Sequence, residues 1–412
     1  MTKKSDAPAI RFKGFSDAWE QRKWINTVDI STNMVDPKSG KFDLLPHVAP
    51  GNIESFTGRL YDNVKLVGEE NLISGKFVFN VGDIVYGKIN PQLGKYVFAR
   101  FSGLTSADAY VLNAKNGIVQ KFLYAVIQTR DFYDYSVSVS KRSGMPKINR
   151  DELNAYSYWA PSESEQLKIG EYLLTLDHLI TLHQRKFEKL TNVKKSMLEK
   201  MFPQNGSSYP EIRFKGFTDP WEQRKLGDMM NVTSVKRIHQ SDWTDSGVRF
   251  LRARDIVAAA KNEEPDDYLY ISKEKYEEYS TLSGKVGVSD LLVTGVGTIG
   301  VPYLVRNLEP LYFKDGNIIW FQNSDKIDGK FLFYSFSAEQ IQGFINESAG
   351  IGTVGTYTIE SGKKTPISLP NQIEQAKVGE FFQQLDNLIT LHQRELEKLQ
   401  NIKKSMLEKM FV

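Results

Sequence analysis

Two stretches in the first half of the chain carry basic side chains with no acidic residue among them. There is no Asp or Glu between Asp83 and Asp108, and none between Asp134 and Asp151. Cationic side chains neutralise phosphates, and amide side chains form paired hydrogen bonds with base edges. The candidates for such contacts are Lys88, Asn90, Gln92, Lys95, Lys141, Arg142 and Lys147. Their clustering favours a nucleic-acid surface, although a single Lys or Arg is more often an ordinary solvated charge.

The second half of the chain offers candidates with fewer charges and more hydroxyl groups. The stretch SAGIGTVGTYT at 348–358 resembles SKRSGMPK at 140–147 in its position and its small residues. Hydroxyl groups can hydrogen-bond to phosphates or to base edges. The candidates in this half are Arg252, Arg254, Thr294, Thr298, Thr353 and Thr356.

Signatures of catalysis are missing from the sequence. The chain has no cysteine and five scattered histidines, which excludes thiolate chemistry and argues against a zinc site. The stretch GVGTIG at 295–300 fits G-x-G-x-x-G, but the residues after it favour a strand, whereas a dinucleotide loop opens a helix. No G-x-x-x-x-G-K-[ST] loop occurs, and NPQL at 90–93 lacks the second proline and the aromatic residue of an adenine methyltransferase signature. We therefore expect no catalytic residue, no bound cofactor and no metal.

The overall composition is that of a folded, mildly basic protein. The chain has 412 residues, 41% of them hydrophobic, and a net charge of +3, which suits two or three domains. The first residues are not followed by an apolar core, and no run of about 18 apolar residues occurs. We expect a cytoplasmic protein that does not associate with membranes.

Two segments of the chain are repeated almost unchanged. Residues 10–24 and 212–226 share 12 of 15 residues at an offset of 202, and residues 176–202 and 385–411 share 22 of 27 at an offset of 209. The stretches between them barely resemble each other, apart from an echo of 82–99 in 289–305. Near-identical segments around divergent inserts predict one shared framework with two different ligands. The alternative, a duplication that drifted uniformly, would not leave the repeated segments so alike.

The second repeated segment predicts two long helices, over 162–202 and 371–411. Apolar residues recur in heptads along both, which is typical of a coiled-coil seam. The seam is formed by Leu176, Ile180, Phe187, Leu190, Met197, Leu385, Ile389, Leu396, Leu399 and Met406. Polar residues interrupt it at matching places. His183 and His392 are expected to set the register rather than to bind a ligand, and the stems of Lys194 and Lys403 are expected to extend past the seam. We expect the two helices to pair with each other in antiparallel fashion; a homodimeric coiled coil is the alternative.

The two inserts, of about 140 residues each, are predicted to form domains with many short strands. Strands are expected near 76–80, 83–89, 95–101, 109–112, 248–256, 290–296, 301–306 and 317–323, and helices near 119–135 and 328–347. The aromatic residues around Trp19 and Trp221 are expected to pack on the ends of the long helices. The predicted segments are 1–23, an insert at 24–160, a helix at 161–203, a central repeat at 204–226, an insert at 227–369 and a helix at 370–412. The fold class is mixed α+β: two domains with twisted sheets alternate with two long helices that pair as an antiparallel coiled coil, in a pseudo-twofold internal repeat.

The repeated segments resemble the conserved regions of a known family. FKGFSDAWEQRK and LDHLITLHQR…KLTNVKKSMLEKMF are similar to those of specificity subunits of type I restriction-modification systems from Gram-positive bacteria. The alternation of two variable and two conserved regions over the whole chain matches the same family. The resemblance implies that each insert is a target-recognition domain for one half of a bipartite DNA site, and that the long helices are the spacer between the half-sites.

The same resemblance implies partners. Double-stranded DNA would be the ligand, and two modification subunits would methylate adenine at N6. Two restriction subunits, which are ATP-dependent translocases and nucleases, would complete the endonuclease. S-adenosylmethionine, ATP and magnesium are expected on those partner subunits, and none on this chain. The recognition residues themselves are not implied, because the family has no fixed motif in the inserts.

Two rival hypotheses remain at this point. A stand-alone enzyme, such as a fused methyltransferase, conflicts with the missing catalytic and cofactor signatures. A coiled-coil scaffold that binds only proteins conflicts with the acid-free basic stretches. Binding of DNA with and without methyltransferase partners would separate the last hypothesis from a recognition subunit.

Overall fold

The protein is described by a computed structural model that covers residues 7–141, 144–204, 206–349 and 355–412. The chain divides into two compact units, one formed by 1–185 with 393–412 and the other by 186–392. Each unit contains one insert together with half of each long helix. Within the described residues, no helix is long and apolar enough to cross a membrane.

The first unit contains most of the strands. They are β1 (Glu20–Lys23), β2 (Val28–Ile30), β3 (Met34–Val35), β4 (Pro46–Val48), β5 (Lys65–Leu66), β6 (Lys76–Phe79), β7 (Ile84–Gly87), β8 (Tyr96–Phe98), β9 (Gly103–Thr105), β10 (Ala109–Ala114) and β11 (Ser157–Ala160). The helices are α1 (Trp24–Thr27), α2 (Gln120–Val126), α3 (Arg130–Ser140), α4 (Arg150–Ala155) and the first half of α5 (Glu163–Lys200).

The second unit begins and ends with the same kinds of element but has two helices, Ala253–Ala260 and Lys273–Ser283, among its strands. Its strands are β12 (Glu222–Lys225), β13 (Asn231–Thr233), β14 (Trp243–Thr244), β15 (Val248–Leu251), β16 (Leu269–Ile271), β17 (Leu291–Thr294), β18 (Pro302–Leu304), β19 (Leu311–Phe313), β20 (Ile318–Gln322) and β21 (Pro366–Leu369). Its helices are α6 (Leu226–Met229), α7 (Ala253–Ala260), α8 (Lys273–Ser283), α9 (Gly329–Ser335), α10 (Glu339–Ser348), α11 (Ile359–Lys364) and the first half of α12 (Gln372–Lys409).

The two inserts share one sheet and differ in the other. The antiparallel sheet β2-β10-β7-β8 of the first unit corresponds to β13-β20-β17-β18 of the second. The other sheet has five strands in the first unit, in the order β3-β6-β9-β4-β5, and four in the second, in the order β14-β16-β15-β19. Each contains one parallel pair, β4 with β9 and β15 with β19. The shared sheet therefore carries the likeness between the inserts, and the other sheet carries much of their divergence.

Strands from the repeated segments join each insert to its long helix. β1 pairs antiparallel with β11, which leads into α5, and β12 pairs in the same way with β21, which leads into α12. Trp19 and Trp221, one residue before these strands in each repeat, are buried. The ring of Trp19 lies 6.1 Å from that of Phe411, and the ring of Trp221 lies 5.9 Å from that of Phe202. The aromatic residues of the repeat thus pack on helix ends, as their pattern indicates.

In the first unit the long helices run antiparallel. Arg11 donates hydrogen bonds of 2.9 and 2.6 Å to Glu165 near the start of α5. The backbone amide of Ile10 donates to the carbonyl of Lys409 at the end of α12. Farther along, Asp177 of α5 pairs with Lys403 of α12 at 2.5 Å. The start of α5 therefore lies beside the end of α12.

The second unit shows the same arrangement with the helices exchanged. Arg213 pairs with Glu374 near the start of α12. The backbone amide of Ile212 donates to the carbonyl of Lys200 at the end of α5. Lys194 of α5 pairs with Asp386 of α12 at 2.6 Å. The helices of one chain therefore pair with each other, and the prediction of an antiparallel coiled coil in a pseudo-twofold repeat is confirmed.

Several seam residues pack in the cores that the long helices share with the inserts. None of the ten apolar seam residues is exposed; Leu176, Leu385 and Leu396 are buried and the others are half-buried. In the first unit, Leu176 belongs to a core against which Leu399 and Met406 pack. The heptad spacing places these side chains on one face, and burial of that face stabilises the pair.

The helices of the inserts differ from the sequence prediction. In place of one helix near 119–135 the structure has α2 and α3, and in place of one near 328–347 it has α9 and α10. Thr129 causes the first break, because its hydroxyl accepts a hydrogen bond from the amide of Phe132 and begins a new helix. The apolar pattern continues across the break, so periodicity alone did not reveal it.

Candidate nucleic-acid interface

The first candidate surface is built on the turn between β7 and β8, residues 88–95, which we call the first hairpin. The amide of Gly87 donates to the carbonyl of Lys95 at 2.8 Å and closes the hairpin. Asn90 and Gly94 adopt left-handed backbone angles, with φ of 51° and 55°, on either side of a single 3-10 turn. Asn and Gly are the residues that adopt this conformation at least cost, so the sequence INPQLGK specifies the turn.

A second segment, residues 144–148, lies along the first hairpin and is called the first strap. The amide of Asn90 donates to the carbonyl of Pro146 at 2.8 Å, and the amide of Ile148 donates to the carbonyl of Lys88 at 3.0 Å. A β-bridge joins Ile89 to Lys147, which are 58 residues apart in the chain. The two acid-free stretches of the sequence therefore meet at one surface.

The candidates of the first insert lie on or beside this surface. Gln92, Lys141 and Lys147 are exposed, while Lys88, Asn90 and Lys95 are half-buried. Lys141 follows the last residue of α3 and precedes the strap by three positions in the sequence. Arg142 lies outside the described residues.

Two of the lysines are partly held by the insert itself. The ammonium group of Lys88 lies 5.3 Å from the ring centre of Tyr110, and that of Lys95 donates to the carbonyl of Ile53. Among the described residues, no carboxylate lies within 4.0 Å of the amino groups of Lys88, Lys95, Lys141 or Lys147. Their positive charge is therefore not cancelled by an ion pair at this surface.

The second unit has an equivalent turn between β17 and β18, residues 295–301, called the second hairpin. Residues 355–357 form the second strap, in which the amide of Tyr357 donates to the carbonyl of Gly295 at 2.9 Å. A Cβ atom on Gly295 would lie 2.6 Å from the carbonyl oxygen of Tyr357, so only glycine allows the strap to approach. The G-x-G-x-x-G match is thus a turn that leads into strand β18, and the sequence expectation that it is no nucleotide loop agrees with this geometry.

The threonines of the second set differ in accessibility. Thr294 is fully buried; its hydroxyl donates to the carbonyl of Thr298 at 2.5 Å and accepts from the amide of Val301 at 3.0 Å. It shapes the second hairpin and presents no group at the surface, so direct base contact by Thr294 conflicts with its burial. Thr298 and Thr356 are exposed, and Thr353 lies outside the described residues.

The arginines of the second set are engaged by carboxylates of their own domain. Arg252, whose side chain is 15% exposed, pairs with Asp255 and with Asp267 at 2.9 Å each. Arg254 also contacts Asp267. The hydrogen bond from Arg252 holds the pKa of Asp267 below its ordinary value, so this carboxylate stays charged beside the two arginines. Because the arginines are neutralised here, they are weaker phosphate anchors than the lysines of the first insert.

The comparison with known families decides the affiliation. A model described as the type I restriction modification DNA specificity domain matches residues 39–192 and again residues 218–401. The chain belongs to this specificity family. Each match covers all or most of an insert and most of a long helix, in agreement with the internal repeat.

Relatives of known name support the affiliation. The specificity subunit of the type I restriction enzyme MjaVIII of Methanocaldococcus jannaschii is 25% identical over 84% of this chain and 80% of its own length. The specificity subunit of the type I restriction enzyme EcoDI of Escherichia coli is 30% identical over 45% of this chain and 41% of its own length. A crystal structure of a type I restriction-modification S subunit from M. genitalium superposes with a TM-score of 0.66 at 13% identity, over 98% of this chain and 99% of that one. At this identity the structure shows a shared fold.

Ion pairs of this specificity-family chain were not foreseen from its sequence. Lys194 and Lys403 were predicted to lie in the seam, and the structure adds that their amino groups pair with Asp386 and Asp177. Glu165, which is 1% exposed, accepts both hydrogen bonds of Arg11, with the equivalent pair in the second unit. The signal was available, because each partner recurs at its place in the repeat. Within the described part of the chain, no group of three His, Asp or Glu residues could hold a metal ion.

Proposed function

We propose that this protein is the DNA-recognition subunit of a type I restriction-modification enzyme, in which each insert reads one half of a bipartite target. The affiliation with the specificity family and the names of the relatives support this role. The observation that carries the proposal is the recurrence of one construction, a hairpin held by a strap on the same kind of sheet, in both inserts. Two surfaces of like construction and unlike sequence suit a protein that reads two different half-sites.

The subunit directs chemistry that other subunits perform. Two modification subunits methylate adenine at N6 with S-adenosylmethionine, and two restriction subunits cleave the DNA with ATP and magnesium. The chain itself recognises the target and carries no catalytic residue or cofactor. We infer a cytoplasmic location, which suits a subunit whose proposed ligand is double-stranded DNA.

The residues proposed to contact DNA follow from accessibility. In the first insert, Lys88, Asn90, Gln92, Lys95, Lys141 and Lys147 remain candidates. In the second, the exposed Thr298 and Thr356 are stronger candidates than Arg252, Arg254 and Thr294. Arg142 and Thr353 stay predictions from the sequence alone. Lysines would anchor phosphates, and amide or hydroxyl groups would read base edges.

Single-molecule methylome sequencing tests the proposal. A host that expresses this chain with its modification partner is compared with the same host lacking this gene. We expect a split motif with N6-methyladenine in each half, present only when the chain is expressed. If the partner is expressed and bound but no new adenine mark appears, the chain does not specify methylation and a protein-binding scaffold is favoured.

A further inference from the structure

We propose that the two recognition surfaces bind DNA by different means: the first anchors phosphates through lysines, and the second reads bases with almost no counter-charge. This inference rests on the proposed function, since it divides the labour of DNA binding between the inserts. It goes beyond that function by assigning the salt-dependent affinity to one insert.

The two surfaces can be compared because the strap contacts the hairpin at an equivalent place in each. In both, a turn between neighbouring antiparallel strands receives the amide of the strap on its first carbonyl, from Ile148 to Lys88 and from Tyr357 to Gly295. Ile148 and Tyr357 are separated by 209 residues, which is the offset of the long-helix repeat. A difference in charge between the surfaces is therefore a difference between equivalent places.

That difference is large. The first hairpin and the first strap contain Lys88, Lys95 and Lys147, and Lys141 lies three positions before the strap in the sequence. The second unit has no Lys or Arg between Lys285 and Arg306, which spans its hairpin, and none between Lys330 and Lys363, which spans its strap. Glycines and threonines occupy the second surface, including the exposed Thr298 and Thr356.

The rest of the second insert does not compensate for the missing cations. Residues 24–160 contain 15 basic and 13 acidic residues, a net charge of +2, whereas residues 227–369 contain 15 basic and 19 acidic residues, a net charge of −4. The two arginines predicted to contact DNA in this insert, Arg252 and Arg254, pair with Asp255 and Asp267. An anionic duplex thus meets a cationic first surface and a second surface that offers hydroxyl and backbone groups.

Counter-ion release converts this asymmetry into a measurable quantity. Each phosphate neutralised by a cation contributes about 0.9 to the slope of log affinity against log salt, whereas a neutral hydrogen bond contributes little. Loss of a cation on the first surface should lower affinity for all sequences and reduce the slope. Loss of a hydroxyl on the second surface should change preference for one half-site and leave the slope unchanged.

The test uses the complex of the full chain with its modification partner and fluorescent duplexes carrying the methylated motif. Binding is measured by anisotropy across a range of salt concentrations. The Lys141→Gln/Lys147→Gln variant should reduce the magnitude of the slope by about two. The Lys38→Gln/Lys41→Gln variant is the matched control, since it removes the same charge from exposed residues of the same insert that lie outside the hairpin and strap. Its slope should equal that of the wild type.

A second variant examines the other surface. Thr298→Val/Thr356→Val should keep the wild-type slope and lower discrimination at one half-site by about tenfold, the effect of losing a base contact of about 1.4 kcal/mol. An unchanged slope for Lys141→Gln/Lys147→Gln, or an equal loss of slope for the threonine variant, would overturn the inference. Failure of the wild-type complex to distinguish its motif from a scrambled duplex would instead overturn the proposed function.

Discussion

At the scale of single residues, burial separates side chains of the same type. Thr294 and Thr298 lie four positions apart, yet the first is fully buried and the second exposed. The hydroxyl of Thr294 bonds to two backbone groups within the second hairpin. A buried amide that loses its acceptor costs about 1–3 kcal/mol, so Thr294 acts on recognition through the shape of the turn.

Substitution of the two threonines should therefore change different properties: stability for Thr294 and recognition for Thr298. Thr294→Val removes the acceptor of the Val301 amide, and we expect the free energy of unfolding to fall by about 1–3 kcal/mol. Thr298→Val should leave stability within about 0.5 kcal/mol of wild type and weaken methylation at one half-site. Urea unfolding and methylome sequencing measure the two effects.

Thr294→Ser is the control, because it keeps the hydroxyl and should retain most of the stability. Equal stability of Thr294→Val and wild type would show that the hydroxyl does not hold the turn.

At the scale of elements, the repeat and the antiparallel pairing together generate two related ion pairs. Asp177 and Asp386 occupy the same place in the repeat, as do Lys194 and Lys403. Each Asp meets the Lys of the other helix, and the side chains of the Asp177 pair are 10% exposed against about a quarter for the Asp386 pair. Burial raises the pKa of Asp177, while Lys403 acts in the opposite direction. The pairs favour one register of the two helices, as polar seam residues do in other coiled coils.

We expect Asp177→Asn to destabilise the protein by about 3 kcal/mol, because it leaves Lys403 buried without its partner charge. Asp386→Asn should cost less, since Lys194 is better solvated. Thermal unfolding measures the loss of stability, and hydrogen exchange over residues 163–185 shows whether the loss occurs in the first unit.

The double variant Asp177→Leu/Lys403→Leu completes the experiment. It removes both charges and should be more stable than Asp177→Asn alone. A double variant as unstable as the single one would mean that the pair is not coupled and that steric packing explains the loss.

At the scale of the whole molecule, each insert is joined to the repeated segments by backbone hydrogen bonds. β1 pairs with β11, and β12 with β21, close to the predicted ends of the inserts at 24–160 and 227–369. Backbone pairing depends little on side chains, so an insert from another specificity subunit could be joined at these strands.

Exchange of residues 24–160 for the corresponding insert of a relative should change one half of the methylated motif and leave the other half unchanged. The physical reason is that each unit has its own hairpin, strap and core. Methylome sequencing of hosts that express the parent and the exchanged chain measures the result, and a change in both halves would contradict independent reading by the inserts.

Much of the organisation could be predicted from local pattern. Heptads place apolar residues on one helix face whatever the surroundings, so the long helices were found within two residues of α5 and α12 at their ends. The two repeated segments predicted that the long helices pair with each other, and their sequences indicated the family. The strands of the hairpins, β7 with β8 and β17 with β18, were also expected from alternating and apolar runs next to turn residues.

Long-range contacts decided the rest. Alignment of the first hairpin with the first strap depends on a bridge across 58 residues, and neutralisation of Arg252 depends on Asp267, which is 15 residues away. Within the described residues, the cation of Lys147 forms no ion pair, whereas that of Arg252 is paired with carboxylates. Likewise Thr294 is buried and Thr298 is exposed. The helices, the repeat and the family could be predicted because they follow from spacing along the chain. The accessibility of the cations and hydroxyls could not, because charge pairing and burial are set by neighbours that folding brings together.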